Sequence, residues 1–136
     1  MYICSENGDK AEEFHRRCDG KSPTIVLIKT EDNFKLGGYT SAQWSSDNHY
    51  KEDSTAFIFS LSNKKSFKVN NSRRAIYGGI SCGPNFGDRE IFINNNCFTK
   101  GGTIAKSNYY ELYNTGELVG SKKDYKIKDY EVFLIK

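Results

Sequence analysis

The chain has 136 residues and a mass of 15.5 kDa, the span of one domain without length for two independent cores. Twenty Lys and Arg against 17 Asp and Glu leave a net charge of +3, and the signs read as interleaved, which argues against a dedicated nucleic-acid surface. No run of 18 apolar residues occurs and the start MYICSENGDK is neither basic nor apolar enough for a secretory signal, so a soluble cytoplasmic protein without membrane insertion is expected.

In GDKAEEFHRRCDGK, Asp9 and Glu12 have the spacing of a capping box, predicting a helix from about Lys10. Ala11, Phe14 and Cys18 give it one narrow apolar stripe, and Gly20 ends it. After Pro23 the β-branched run TIVLIK at 24–29 reads as a buried strand. A four-residue polar turn returns it into FKLGGYT as a hairpin, with Gly37 and Gly38 inside the second strand.

Residues 41–53 read as a polar loop anchored by Trp44. Strand candidates follow at 55–61, 75–80, 89–93, 109–113 and 130–136, separated by polar or Gly-rich connections such as SNKKS, NNSRR and NTG. Runs apolar on both faces, such as AFIFSL, predict central strands covered by the partner sheet on one side and by the helix or the Trp loop on the other. One early helix, many short strands and no internal repeat predict a mainly β (α+β) domain, a two-sheet antiparallel β-sandwich with short flanking helices.

Few residues suggest chemistry. Cys4, Cys18, Cys82 and Cys97 match no metal-binding or compact disulfide spacing and read as free buried thiols. His15 and Cys18 stand three apart on the helix, a spacing a thiolate and base could share, although no orienting group accompanies them. His49 reads as solvated. Asp47, Glu52 and Asp53 cluster without the pattern of a calcium loop. The glycines of GGISCGPNFG do not follow a strand and open a helix as a phosphate loop requires, and no cofactor is expected. The pairs Lys64-Lys65, Arg73-Arg74 and Lys122-Lys123 fall in predicted turns as solubilising charges.

Taken in order, FHRRCDGKSPTIVLIKT, LGGYTSAQW, DSTAFIFSL, GPNFG and EVF resemble the TLDc domain family, of the oxidation-resistance type, over residues 2–135. The resemblance implies a sandwich of two antiparallel sheets bordered by short helices, an association with oxidative-stress resistance, and, for several members, binding to the vacuolar-type proton ATPase. It implies no catalytic mechanism. Its signature positions here are Gly37, Gly38 and Tyr39; Asp53, Ser54, Phe57 and Phe59; Gly83, Pro84, Phe86 and Gly87; and Glu131, Val132 and Phe133. Residues 1–136 read as a single domain of this type, with Met1 near the family's first capped helix and the segment that usually precedes it lacking.

GPNFG is expected to form a tight turn with Phe86 plugging the sandwich end, and Asp53 and Glu131 to hold turns or to touch a partner. The functional expectation is a non-enzymatic protein-interaction module that docks on a protein complex. The rivals are a thiol-dependent antioxidant enzyme using Cys18, Cys82 or Cys97, and a structural accessory of a large assembly.

Overall fold

Alternation along residues 24–40 builds the centre of the molecule. The computed structural model describes residues 1–112, 116–119 and 124–135. In chain order these form β1 (Tyr2–Ile3), α1 (Cys4–Asn7), α2 (Ala11–Cys18), β2 (Thr24–Thr30), β3 (Lys35–Thr40), β4 (Tyr50–Lys51), β5 (Phe57–Ser60) and β6 (Lys65–Lys68). There follow β7 (Ile76–Tyr77), β8 (Asn85–Phe86), β9 (Ile91–Ile93), α3 (Cys97–Lys100), β10 (Gly102–Thr103), α4 (Gly116–Val119), β11 (Asp124–Tyr125) and β12 (Ile127–Leu134).

The strands make two sheets, in the orders β1-β12-β2-β3-β5-β6 and β11-β10-β9-β8-β7-β4, with antiparallel pairing throughout. This is the expected sandwich. Because side chains alternate across a strand, the register of the first sheet sorts its residues cleanly. Val132, Val26, Gly38, Ile58 and Phe67 form a buried inner rung, while Phe133, Ile25, Tyr39, Phe57 and Lys68 stand opposite one another on the outer face.

The hairpin between β2 and β3 forms as its composition predicts. Thr30 Oγ1 accepts from the Phe34 amide at 2.9 Å and donates to Asp32 at 2.6 Å, while Asn33 takes the left-handed conformation. The helix start differs from expectation. Asp9 does not cap α2; its carboxylate accepts from the Phe98 amide, and the Ala11 amide is satisfied instead by Asn95 Oδ1 at 2.8 Å. A cap supplied from 84 residues away does the job of the local one.

Several strand boundaries shrink. The run at 75–80 keeps only Ile76–Tyr77, and Lys65 and Ser66, read as a connection, begin β6. Arg73 and Arg74 lie in a single 3-10 turn. Over its described part, 109–113 is not a strand: it makes one bridge between Tyr110 and Val69. Tyr113, Lys122, Lys123, Lys136 and most of the NTG connection lie outside the described residues. GPNFG is a strand rather than a tight turn, since Asn85–Phe86 pairs with both β7 and β9, and the reversal comes afterwards at Gly87.

Trp44 anchors its loop. Its ring is buried between Phe14 and Phe86, edge-on to both at 5.4 and 5.5 Å, and its Nε1 donates to Thr24 Oγ1 at 2.9 Å. The Trp loop thus fills the space between the sheets and does not cover an outer face. Among the described residues, no helix is long and apolar enough to cross a membrane.

Candidate functional site

The signature residues fall into separate structural tasks. Gly37 and Gly38 sit mid-strand, where each leaves room for a phenylalanine ring on a different face of the sheet. A methyl on Gly38 would stand 2.5–2.8 Å from three ring carbons of Phe86 on the inner side. On Gly37 it would run into the Val26 carbonyl and stand 2.9 Å from Phe59 Cζ on the outer side. Phe86 therefore sits in the middle of the core, not at the sandwich end.

Asp53 is buried and accepts five hydrogen bonds: from Thr40 Oγ1 (2.8 Å), the Ser41 amide (2.6 Å) and Oγ (2.8 Å), and the Thr55 amide (2.9 Å) and Oγ1 (2.6 Å). Burial pushes this carboxyl up, but the hydrogen bonds from Thr55, Ser41 and Thr40 outweigh it and hold it below its usual value. Its lone pairs are committed to holding the end of β3 against the start of β5. Ser54 beside it is exposed.

Gly83 and Pro84 brace β9, the Gly83 amide donating to Ile93 O and the Ile93 amide to Pro84 O. Gly87 has φ +66°, and a side chain there would strike the Glu90 carboxylate. Glu131 lies on β12, in register with Leu27 and Ile3, remote from this group. The signature is thus dispersed through the framework and does not converge on one cleft.

Glu90 carries no signal in the sequence beyond an acid next to a buried strand. Fully buried, it accepts from the Tyr110 amide at 2.5 Å and, more weakly, from the Asp88 amide at 3.3 Å. Desolvation raises its pKa to about 7, against the opposing pull of these amides. It ties the 109–112 segment to the second sheet.

The thiols are enclosed by the fold, and the helix imidazole is bonded away from Cys18. All four cysteines are free and buried. Burial raises the Cys18 thiol to about 12 and pushes Cys82 up as well. Cys97 is raised by its partner Cys4, whose Sγ lies 3.3 Å away, and by burial. His15 does not engage Cys18. Its Nδ1 lies 2.7 Å from Asp19 Oδ1, and its Nε2 lies 2.7 and 2.9 Å from the carbonyls of Gly79 and Cys82, so both nitrogens face oxygen acceptors.

The carboxylates of the Trp loop also go to different partners: Asp47 pairs with Lys51 at 2.5 Å while Asp53 is taken up by hydroxyls and amides. Among the described residues, no three potential ligand side chains gather around a point where a metal could sit.

Open grooves remain. One of about 730 Å³ at the end of the sandwich carries both signs, from Glu31, Asp32, Asp124, Lys100 and Lys126. A polar one of about 450 Å³ lies beside Tyr50, Tyr77, Asn85 and Arg89. A third, of about 520 Å³, is apolar and lies on β5 and β6 against Phe57, Phe59 and Leu61.

The TLDc domain signature matches residues 1–136, the whole chain. The chain belongs to the TLDc domain family. This TLDc domain is 26% identical over 141 residues to the MTOR-associated protein MEAK7 of Xenopus laevis, an alignment covering 91% of this chain and 29% of that protein. It is 36% identical over 45 residues to TBC1 domain family member 24 of Xenopus tropicalis, covering 33% of this chain and 8% of that protein. The TLDc domain therefore spans less than a third of the length of these curated relatives.

Proposed function

We propose that this TLDc domain is a non-enzymatic docking module that binds a large protein complex through its outer surface. The observation that supports this reading is the fate of the reactive groups. The thiols are buried, with the pKa of three of them raised, which disfavours the nucleophilic thiolate, and the helix histidine is engaged by a carboxylate and two carbonyls. What the signature residues build is a stiff scaffold, and a stiff scaffold presents a preformed surface to a partner.

The vacuolar-type proton ATPase is the first candidate partner, and the proposed setting is the cytoplasm, where free thiols persist. A role in oxidative-stress resistance would then act through that partner, without chemistry at the domain's own sulfur. A relative that carries the name MTOR-associated protein makes an mTOR-containing complex the second candidate.

The test is a pull-down of purified peripheral ATPase sectors with the full chain at micromolar concentration, where an interface of standard size is visible. Capture is expected. No capture at that concentration removes this partner, and the same assay with mTOR complexes addresses the second. A stress-protection assay with each Cys replaced by Ser, scored only for variants that stay folded, separates the thiol-enzyme rival: retained protection eliminates it.

A further inference from the structure

The outer face of the first sheet was expected to lie under the helix or the Trp loop, but Tyr39, Phe57 and Phe59 are only half-buried and Leu61 is 50% exposed. The three rings form one strip: Tyr39 stacks on Phe57 at 5.2 Å, and Phe57 lies 6.2 Å from Phe59. Phe59 lies back over Gly37, which lowers the middle of the strip into the sheet. The result is the trough of about 520 Å³, walled by Phe57, Phe59, Leu61, Lys64 and Lys65.

The charge on the strands that form it, and on the chain that follows them, has one sign. From residue 54 to residue 87 the chain contains no Asp or Glu and five cations, Lys64, Lys65, Lys68, Arg73 and Arg74, so the interleaving that holds elsewhere breaks down over this stretch. Lys68 stands in register with Phe57, and the Lys35 carbonyl accepts from the Leu61 amide, which places lysines at both ends of the strip. Lys65 faces Glu117 at 3.8 Å. Among the described residues no carboxylate lies within ion-pair distance of Lys35, Lys64 or Lys68.

We infer that this face docks an acidic amphipathic segment of a partner protein, with apolar side chains entering the trough between Phe59 and Leu61 and flanking carboxylates meeting Lys35, Lys64 and Lys68. The inference rests on the docking-module reading and gives it a face and a partner chemistry. An apolar channel walled by like charges is complementary to a helix that carries spaced apolar anchors with acids beside them. A bilayer would ask for apolar tips that project into it, and here the rings of the strip lie back on the sheet, Leu61 alone among the apolar walls of the trough being exposed.

The experiment titrates the full chain, followed by backbone-amide NMR, with two synthetic helix-forming peptides of about 18 residues. They share leucines at i, i+3, i+4 and i+7 and differ in flanking Glu or Lys. The Glu peptide is expected to bind in the micromolar range, to shift amides of residues 57–68, and to weaken about tenfold as salt rises from low to well above physiological. K35E/K68E, two exposed positions, should lose about tenfold or more for the Glu peptide and gain affinity for the Lys peptide. Leu61→Ser, in the exposed turn, should weaken binding of both peptides without moving the melting temperature.

Equal affinity for the two peptides overturns the inference, as do shifts confined to another face. Stronger partition onto phosphatidylserine vesicles than binding to the Glu peptide also overturns it. A K35E/K68E chain that captures ATPase sectors as well as the parent chain does overturns this face while leaving the docking-module reading standing.

Discussion

The ring of Phe86 occupies the space in which a Gly38 side chain would lie, so a residue of the second sheet closes a notch cut in the first. This contact limits how closely the two sheets approach at the centre of the core, where Trp44 packs edge-on against the same ring. Glycine at position 38 is required by the approach of the ring, while its backbone is ordinary strand.

Gly38→Ala should therefore overpack the core and cost about 1–3 kcal/mol, and Phe86→Ala should leave a cavity costing about 3–5 kcal/mol. The two effects share one volume and should not add: in the Phe86→Ala background, Gly38→Ala should cost much less than it does alone. Urea unfolding of the four proteins measures the coupling, and simple additivity would contradict the contact.

Asp53 should make the domain acid-labile. Its folded-state pKa lies below the unfolded value of 3.8, so the stability it contributes is present above that pH and is lost as pH falls through the lower folded value. Asp53→Asn should flatten the acid limb and, by setting an amide NH2 among donors, lower stability at neutral pH by about 1–3 kcal/mol. Urea midpoints measured from pH 2.5 to 7 check both effects.

Glu90 acts in the opposite sense. Its folded pKa of about 7 exceeds the unfolded value of 4.5, so its contribution is fully present below pH 4.5 and is lost as pH rises through 7, an effect of about 3 kcal/mol at most. Glu90→Gln keeps an acceptor for the Tyr110 amide and removes the ionisation. Its stability advantage over the parent chain should grow from about pH 4.5 to 7 and level off above that, and an advantage that does not change across this range would show that Glu90 ionises as if in water.

The four thiols should be slow to alkylate. Iodoacetamide added to the native chain at pH 8 should label Cys4, Cys18, Cys82 and Cys97 only slowly, and all four at once in denaturant, as read by peptide mass. Rapid native labelling of Cys18, Cys82 or Cys97 would return the thiol-enzyme reading to contention.

Local chemistry made much of this fold readable. The β2–β3 hairpin follows from a β-branched run and a Thr-Glu-Asp-Asn turn whose hydrogen bonds close within five residues, and α2 follows from the spacing of Ala11, Phe14 and Cys18. Trp44 was legible as an anchor because a single large ring in a polar loop has few other places to go. The helix cap was misread because Asp9 had the right spacing, while Asn95, which supplies the bond, has no sequence proximity to α2.

By itself the sequence determined the family, through motifs that resemble it in order, and also the class of fold and the positions of most of the main strands, since periodicity and turn composition act over a few neighbouring residues. Only the tertiary structure decided that Phe86 lies on Gly38 and Phe59 on Gly37, that Asp53 is saturated with donors, that Glu90 is sealed from water, and that the Tyr39–Phe57–Phe59 strip stays open beside lysines. The physical reason is the order of strands in the sheets. Which faces meet, and which are left to solvent, depends on pairings between segments up to 130 residues apart, such as Tyr2 with Val132, and desolvation of a charge follows from those pairings rather than from its neighbours in the chain.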